Sequence, residues 1–143
     1  NFDAYRSGWD EGVQRYCQPG NAYHQGRRGK AYSGVCPAGM EGGFLQAYRA
    51  GRELYDLEAD VQRKARKLRH KRARLNAIEV DMRDTGLELV TAGVTTERRV
   101  ILLDELRKLE QDRAATKAQI PVLEAELERQ ANRLTSISSG HEY

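Results

Sequence analysis

Few residues of this 143-residue chain have types and spacings that carry chemistry, and the two cysteines come first. Cys17 and Cys36 have one pairing option between them. Joined, they would close a loop in which eight of the eighteen intervening residues are Gly, Ser, Gln or Asn, a constraint worth roughly 3 kcal/mol in the chain-entropy picture. A loop-rich stretch poor in aliphatic side chains gains from such a staple, and the bond would imply an oxidising compartment. Two buried, reduced thiols are the alternative that residue types leave open. A metal pair is disfavoured, because neither Cys has a second Cys or a His at ligand spacing.

The remaining reactive types form no constellation. His24, His70 and His141 stand far apart, with no His-x-x-x-His pair, and there is no Gly-x-Ser-x-Gly elbow. Gly26-Arg-Arg-Gly-Lys30 combines glycine with cations, but no strand precedes it, so a phosphate loop is poorly supported. No catalytic residue, metal ligand or cofactor is assigned, and an enzyme is not expected.

A run of cations is more informative. Arg63, Lys64, Arg66, Lys67, Arg69, Lys71, Arg72 and Arg74 follow one another with no acid between Asp60 and Glu79. The net charge is only +3, so the polarity is local. The run fits a solvated helix face. It also fits a docking site for an acidic protein partner or an anionic membrane surface, where each cation is worth ~1 kcal/mol. Sequence-independent contact with nucleic acid phosphates is a third use, disfavoured if the compartment is oxidising.

These residues must be positioned by something, and the composition limits what. With 39% apolar and 31% charged residues the chain is too polar for a thick core, yet too apolar for disorder throughout. No run approaches the ~20 apolar residues of a membrane-spanning helix. The sequence begins at Asn1 without Met, which reads as a processed or trimmed form.

A compositional break falls near residue 52. Residues 1–51 hold ten of the thirteen Gly, both Cys, both Phe and the only Trp. Beyond the break, two frames with alternating spacings of three and four are mostly apolar. One runs Leu54, Leu57, Val61, Lys64, Leu68, Lys71, Leu75, Ile78, Met82, Thr85, Leu89. The other runs Leu102, Leu106, Leu109, Arg113, Thr116, Ile120, Leu123, Leu127, Gln130, Leu134, Ile137. Between them, Gly93 suits a left-handed helix end, and Thr95 or Thr96 an N-cap with Glu97 in the first turn.

The expectation is an all-α protein with a Gly/Tyr-rich head over 1–51, stapled by a disulfide. The head continues into a long antiparallel coiled-coil helical hairpin over 52–143, with arms at about 52–92 and 96–137. Folding about residues 93–94 sets 63–74 beside roughly 113–124, where Glu124 is the only acid, so the cation run is expected to stay un-neutralised. Pro121 is expected to kink or restart the second arm, and Gly86 to weaken the end of the first.

In the head, Tyr5-Arg-Ser-Gly8, Tyr23-His-Gln-Gly26 and Tyr48-Arg-Ala-Gly51 share one pattern, and Gly8 and Gly12 stand four apart. Glycines at this spacing let a neighbouring backbone approach one helix face while Tyr covers the gap. Tyr5, Gly8, Gly12, Tyr23, Gly26, Tyr48 and Gly51 are therefore assigned to head packing, with an aromatic ligand groove as the alternative. The expected order is a short helix over about 3–17, a Gly-rich loop, then a helix opening near Pro37.

The stretches Tyr5-Arg-Ser-Gly-Trp-Asp-Glu-Gly12, Tyr16-Cys, Gly34-Val-Cys-Pro37 and Ala47-Tyr-Arg-Ala-Gly-Arg52 carry a resemblance. Over about residues 1–60 the chain resembles a bacterial domain-of-unknown-function family of small exported proteins, many of them lipoprotein-like. Gly39, Gly42 and Gly43 depart from the helix formers expected there. The resemblance implies a paired Cys17–Cys36 and a periplasmic or outer-membrane-associated address, and it supplies no catalytic residues. Together these point to a non-enzymatic envelope binding or scaffold module with a protein partner, an inhibitor or immunity-type role being one form of it. Self-association as a homodimer is a further expectation. A basic hairpin binding nucleic acid in the cytoplasm is the alternative.

Overall fold

The computed structural model describes residues 1–140, so His141 lies outside the described residues. The chain is all-α: α1 (Phe2–Tyr16), α2 (Pro19–Arg27), α3 (Ala38–Leu89) and α4 (Thr96–Gly140), with no strand among the described residues. Two compact units form, one from Asn1–Val61 with α4 from Gln130 onward, the other from Gln62–Arg129.

In the first unit, Asn1 caps α1 by accepting from the Asp3 N–H at 2.9 Å, which satisfies one of the orphan donors of the first turn. The segment expected as a Gly-rich loop contains α2 instead. Pro19 begins it at a position where a missing N–H costs nothing. Asn21 Nδ2 ties it to the Tyr16 carbonyl at 2.7 Å. Ala22 and Gly26 are its buried residues, so its glycine serves contact rather than chain reversal.

The true loop, between α2 and α3, turns on Gly29 (φ +70°) and Gly34 (φ +78°). Gly29 is doubly constrained: a Cβ there would stand 2.4 Å from the Tyr55 ring. Arg52 donates to the Gly29 carbonyl at 2.9 Å and lies over the same ring, and Tyr48 Oη donates to the Lys30 carbonyl at 2.6 Å. The loop is thus pinned to α3 by two α3 side chains.

α3 opens after Pro37 and runs through Gly39, Gly42 and Gly43, because Met40, Phe44 and Ala47 share a face that buries. Phe44 is fully buried and meets Tyr16, Tyr32 and Tyr48 at ring-centroid distances of 5.3, 4.8 and 6.1 Å, spacings at which aromatic pairs attract. Cys17 and Cys36, bonded at 2.13 Å, complete this core. The two sulfurs thus stand at bonding distance, as the paired reading expects. Leu54 is also buried, and α4 reaches the unit through Arg133 on Glu53 (3.2 Å) and Gln130 on Asp60.

The second unit is an antiparallel helix pair. Leu68, Ile78, Leu102, Thr116 and Leu123 are buried in its seam. Every other frame position of this unit is half-buried, including Lys64, Lys71 and Arg113. Gly93 takes φ +86° in the turn, and Thr95 Oγ1 accepts from the Arg98 N–H at 3.1 Å as the N-cap of α4. Arg98 then grips both carboxylate oxygens of Glu88 at 2.8 and 3.1 Å, fastening the two helix ends across the turn.

Neither irregularity interrupts its helix. α4 does not restart at Pro121 but continues through it, since Pro121 is exposed and water can solvate the carbonyl that loses its donor. α3 likewise passes Gly86 and ends at Leu89.

Candidate binding surfaces

The eight cations of the run all lie on α3, but the helix does not gather them into one patch. Spacings of four, four and three set Arg63, Lys67, Lys71 and Arg74 along one edge of the seam. Arg72 belongs to the other edge and pairs with Glu124 at 3.4 Å. Arg66 and Arg69 are exposed on the side away from the seam.

The run is also partly neutralised, contrary to expectation. Arg74 meets Asp112 at 3.6 Å, one residue outside the opposite segment considered above. Arg63 and Lys64 have interactions of their own as well. These two cross-helix pairs are more than half exposed on the arginine side, so each is worth little, of the order of tenths of a kcal/mol.

What stays available is local. Lys67 and Lys71 on α3 and Ala118, Val122, Leu123 and Glu126 on α4 line a groove along one edge of the hairpin. Val122 is 57% exposed in its floor. Lys67 and Lys71 form no ion pair among the described residues. An apolar floor beside two ammonium groups can hold an amphipathic acidic ligand: apolar contact supplies burial, and the cations meet its carboxylates.

In the head, two of the three Tyr-x-x-Gly motifs pack on each other. A Cβ on Gly26 would lie 2.1 Å from the Tyr48 carbonyl oxygen, and one on Gly51 would lie 2.2 Å from the Tyr23 carbonyl oxygen. Ala22 and Ala47, four residues before each glycine, are buried too, so two small-x-x-x-small faces meet. Arg27 adds an ion pair to Glu58 at 2.9 Å, and this hydrogen bond raises the arginine's pKa above its ordinary value.

The third motif does not join them. Gly8 and Gly12 would meet no atom within 4 Å if given a Cβ, and Tyr5 is 70% exposed. Their assignment to head packing is therefore corrected. Phe2 and Trp9, which sequence reading left out, are 75% and 56% exposed beside Tyr5. Their spacing of three and four was the available signal.

Residues 1–53 match a family model described as Protein of unknown function (DUF2799). The DUF2799 segment holds α1, α2, the pinned loop, both cysteines and both contacting glycines. No curated protein and no solved structure matches the chain.

Other chemistry is not assembled. Among the described residues no three of His, Cys, Asp and Glu stand as a metal group. The phosphate-loop candidate falls at the C-terminal end of α2, where the Gly29 and Lys30 amides already donate to the Gly26 and Gln25 carbonyls. Displaced pKa values belong to structural contacts. Burial, chiefly, raises the Tyr32 phenol, whose hydroxyl accepts from the Cys36 N–H and donates to Glu41.

Proposed function

We propose that this chain is a non-enzymatic binding or scaffold module of the bacterial cell envelope, acting through its helical hairpin on a protein partner. The observation that carries it is the Lys67–Lys71 groove with Val122 exposed in its floor. A helix laid along that edge would make a three-helix seam, cover Val122 and set its own acids against the two lysines. A partner inactivated by such contact would make the chain an inhibitor or immunity-type protein.

The envelope address is supported by the Cys17–Cys36 bond, a pairing common where thiols are oxidised. Mass spectrometry of protein isolated from its native source tests the address. A mass two hydrogens below that of the dithiol fits it, and free thiols there do not.

Affinity capture from envelope extracts tests the docking. Wild-type chain should retain an acidic protein that elutes as salt rises, and Lys67→Gln/Lys71→Gln/Val122→Ser should lose it. Equal retention by both chains contradicts the groove. Retention of nucleic acid or of anionic vesicles in its place would replace the protein partner with another surface.

A further inference from the structure

We propose that a second copy of this chain docks on the exposed aromatic face of α1. The Tyr5 and Trp9 side chains of each copy would lie over the Gly8–Gly12 notch of the other, with Phe2 just beyond its end.

Phe2, Tyr5, Trp9, Val13 and Tyr16 recur at spacings of three and four, so they form one line along α1. Its C-terminal part is already covered, because Val13 and Tyr16 pack on the head core. Its N-terminal part is the same apolar face left open to water, at 75%, 70% and 56% exposure for the three aromatics. Gly8 and Gly12 lie on the adjoining flank and meet nothing within 4 Å.

The occupant follows from what the chain does elsewhere. Its other two Tyr-x-x-Gly motifs pack reciprocally, Gly26 on the Tyr48 backbone and Gly51 on the Tyr23 backbone. The motif at Tyr5–Gly8 is a third copy without a mate, and a second chain supplies an identical one. A two-fold axis then brings the same patch to itself. In an antiparallel register about Gly8 and Trp9, Tyr5 of one copy stands over Gly12 of the other and Trp9 over Gly8. The same register sets Arg6 beside Asp10 of the other copy, so opposite charges flank the aromatic contact twice.

A lipid surface fits less well. The helix carries Asp3, Asp10 and Glu11 against Arg6 and Arg15, a net of −1, where an anionic bilayer favours a basic polar face. Six aromatic side chains at ~150 Å² each give about 900 Å², somewhat below the ~1,200 Å² of standard specific interfaces. The dimer is therefore of the weak, transient class.

Sedimentation equilibrium over a concentration series reads it directly. The chain should pass from monomer to dimer, and Phe2→Ser/Tyr5→Ser/Trp9→Ser should stay monomeric with unchanged circular dichroism. Gly8→Leu/Gly12→Leu is the sharper variant. It improves helix propensity, meets no atom within 4 Å in its own chain and adds apolar surface, yet fills the notch and should also stay monomeric. A wild-type chain monomeric throughout overturns the proposal. So does a dimer that survives the aromatic variant or tightens in Gly8→Leu/Gly12→Leu, which would mark undirected hydrophobic association. A monomer whose Trp9 fluorescence shifts only with phosphatidylglycerol vesicles overturns it in favour of a membrane.

Discussion

Gly26 and Gly51 each occupy the one place where a side chain would run into the other's helix: a Cβ on Gly26 lies 2.7 Å from Arg52 N, and a Cβ on Gly51 lies 2.9 Å from Arg27 N. Backbone meets backbone there without side chains between. This contact seats α2 on α3, and with the disulfide it defines the head.

Gly26→Ala or Gly51→Ala should therefore lower stability by about 2–3 kcal/mol, as overpacking a backbone contact does. Gly12→Ala, facing open space within a helix, should be neutral or stabilise by about 0.5–1 kcal/mol. Chemical denaturation of the three variants checks the ordering. Equal effects at all three positions would mean that glycine acts through helix propensity alone.

Cys17→Ser/Cys36→Ser should cost about 3 kcal/mol, the constraint lost from a loop of this length. The effect should appear in probes of the Phe44 cluster, such as the tyrosine near-ultraviolet dichroism. Reduction of the wild type should reproduce the variant's unfolding curve.

Leu102 is buried in the hairpin seam whereas its neighbour Leu103 is 54% exposed. Leu102→Ala should destabilise the chain by about 2–4 kcal/mol, and Leu103→Ala by no more than about 0.5 kcal/mol. Thermal unfolding distinguishes them, and a reversed order would place the seam one residue away.

The turn carries a pH signature. The hydrogen bonds from Arg98 hold the Glu88 carboxyl below its ordinary pKa, and Arg107 and Lys108 do the same for Asp104. Since these folded-state values are depressed, the stabilisation is complete above the ordinary carboxylate pKa and is lost as pH falls through the lowered ones. Carbon-detected NMR titration should find Glu88 low in the wild type and restored toward the normal range by Arg98→Gln. Both groups are at the surface, so the effect on global stability is small and shrinks with salt.

Much of the fold was legible because periodicity reports burial directly. Every position of the two frames, from Leu54 to Leu89 and from Leu102 to Ile137, is buried or half-buried, the polar Lys64, Lys71, Arg113, Thr116 and Gln130 included. Helix α2 was not legible. The stretch read as a Gly-rich loop although Gly26 within it was assigned to packing, and contact with α3 is what holds it helical, a tertiary override of local propensity. The three Tyr-x-x-Gly motifs look alike in sequence, yet only two have a neighbour in the chain. The cation run read as one patch because its members adjoin in sequence, whereas a helix distributes adjacent residues around its axis. The Lys67–Lys71 groove needed α4, because Ala118 and Val122 have no sequence signal that marks them as its floor.

The most direct test of a hairpin that works by contact is site-specific photo-crosslinking in cells. A benzophenone amino acid at Val122, within the groove, should yield a discrete adduct with an acidic protein. The same group at Ala73, exposed away from the seam, should not. Absence of an adduct at Val122, or the same adduct from both positions, would contradict the account.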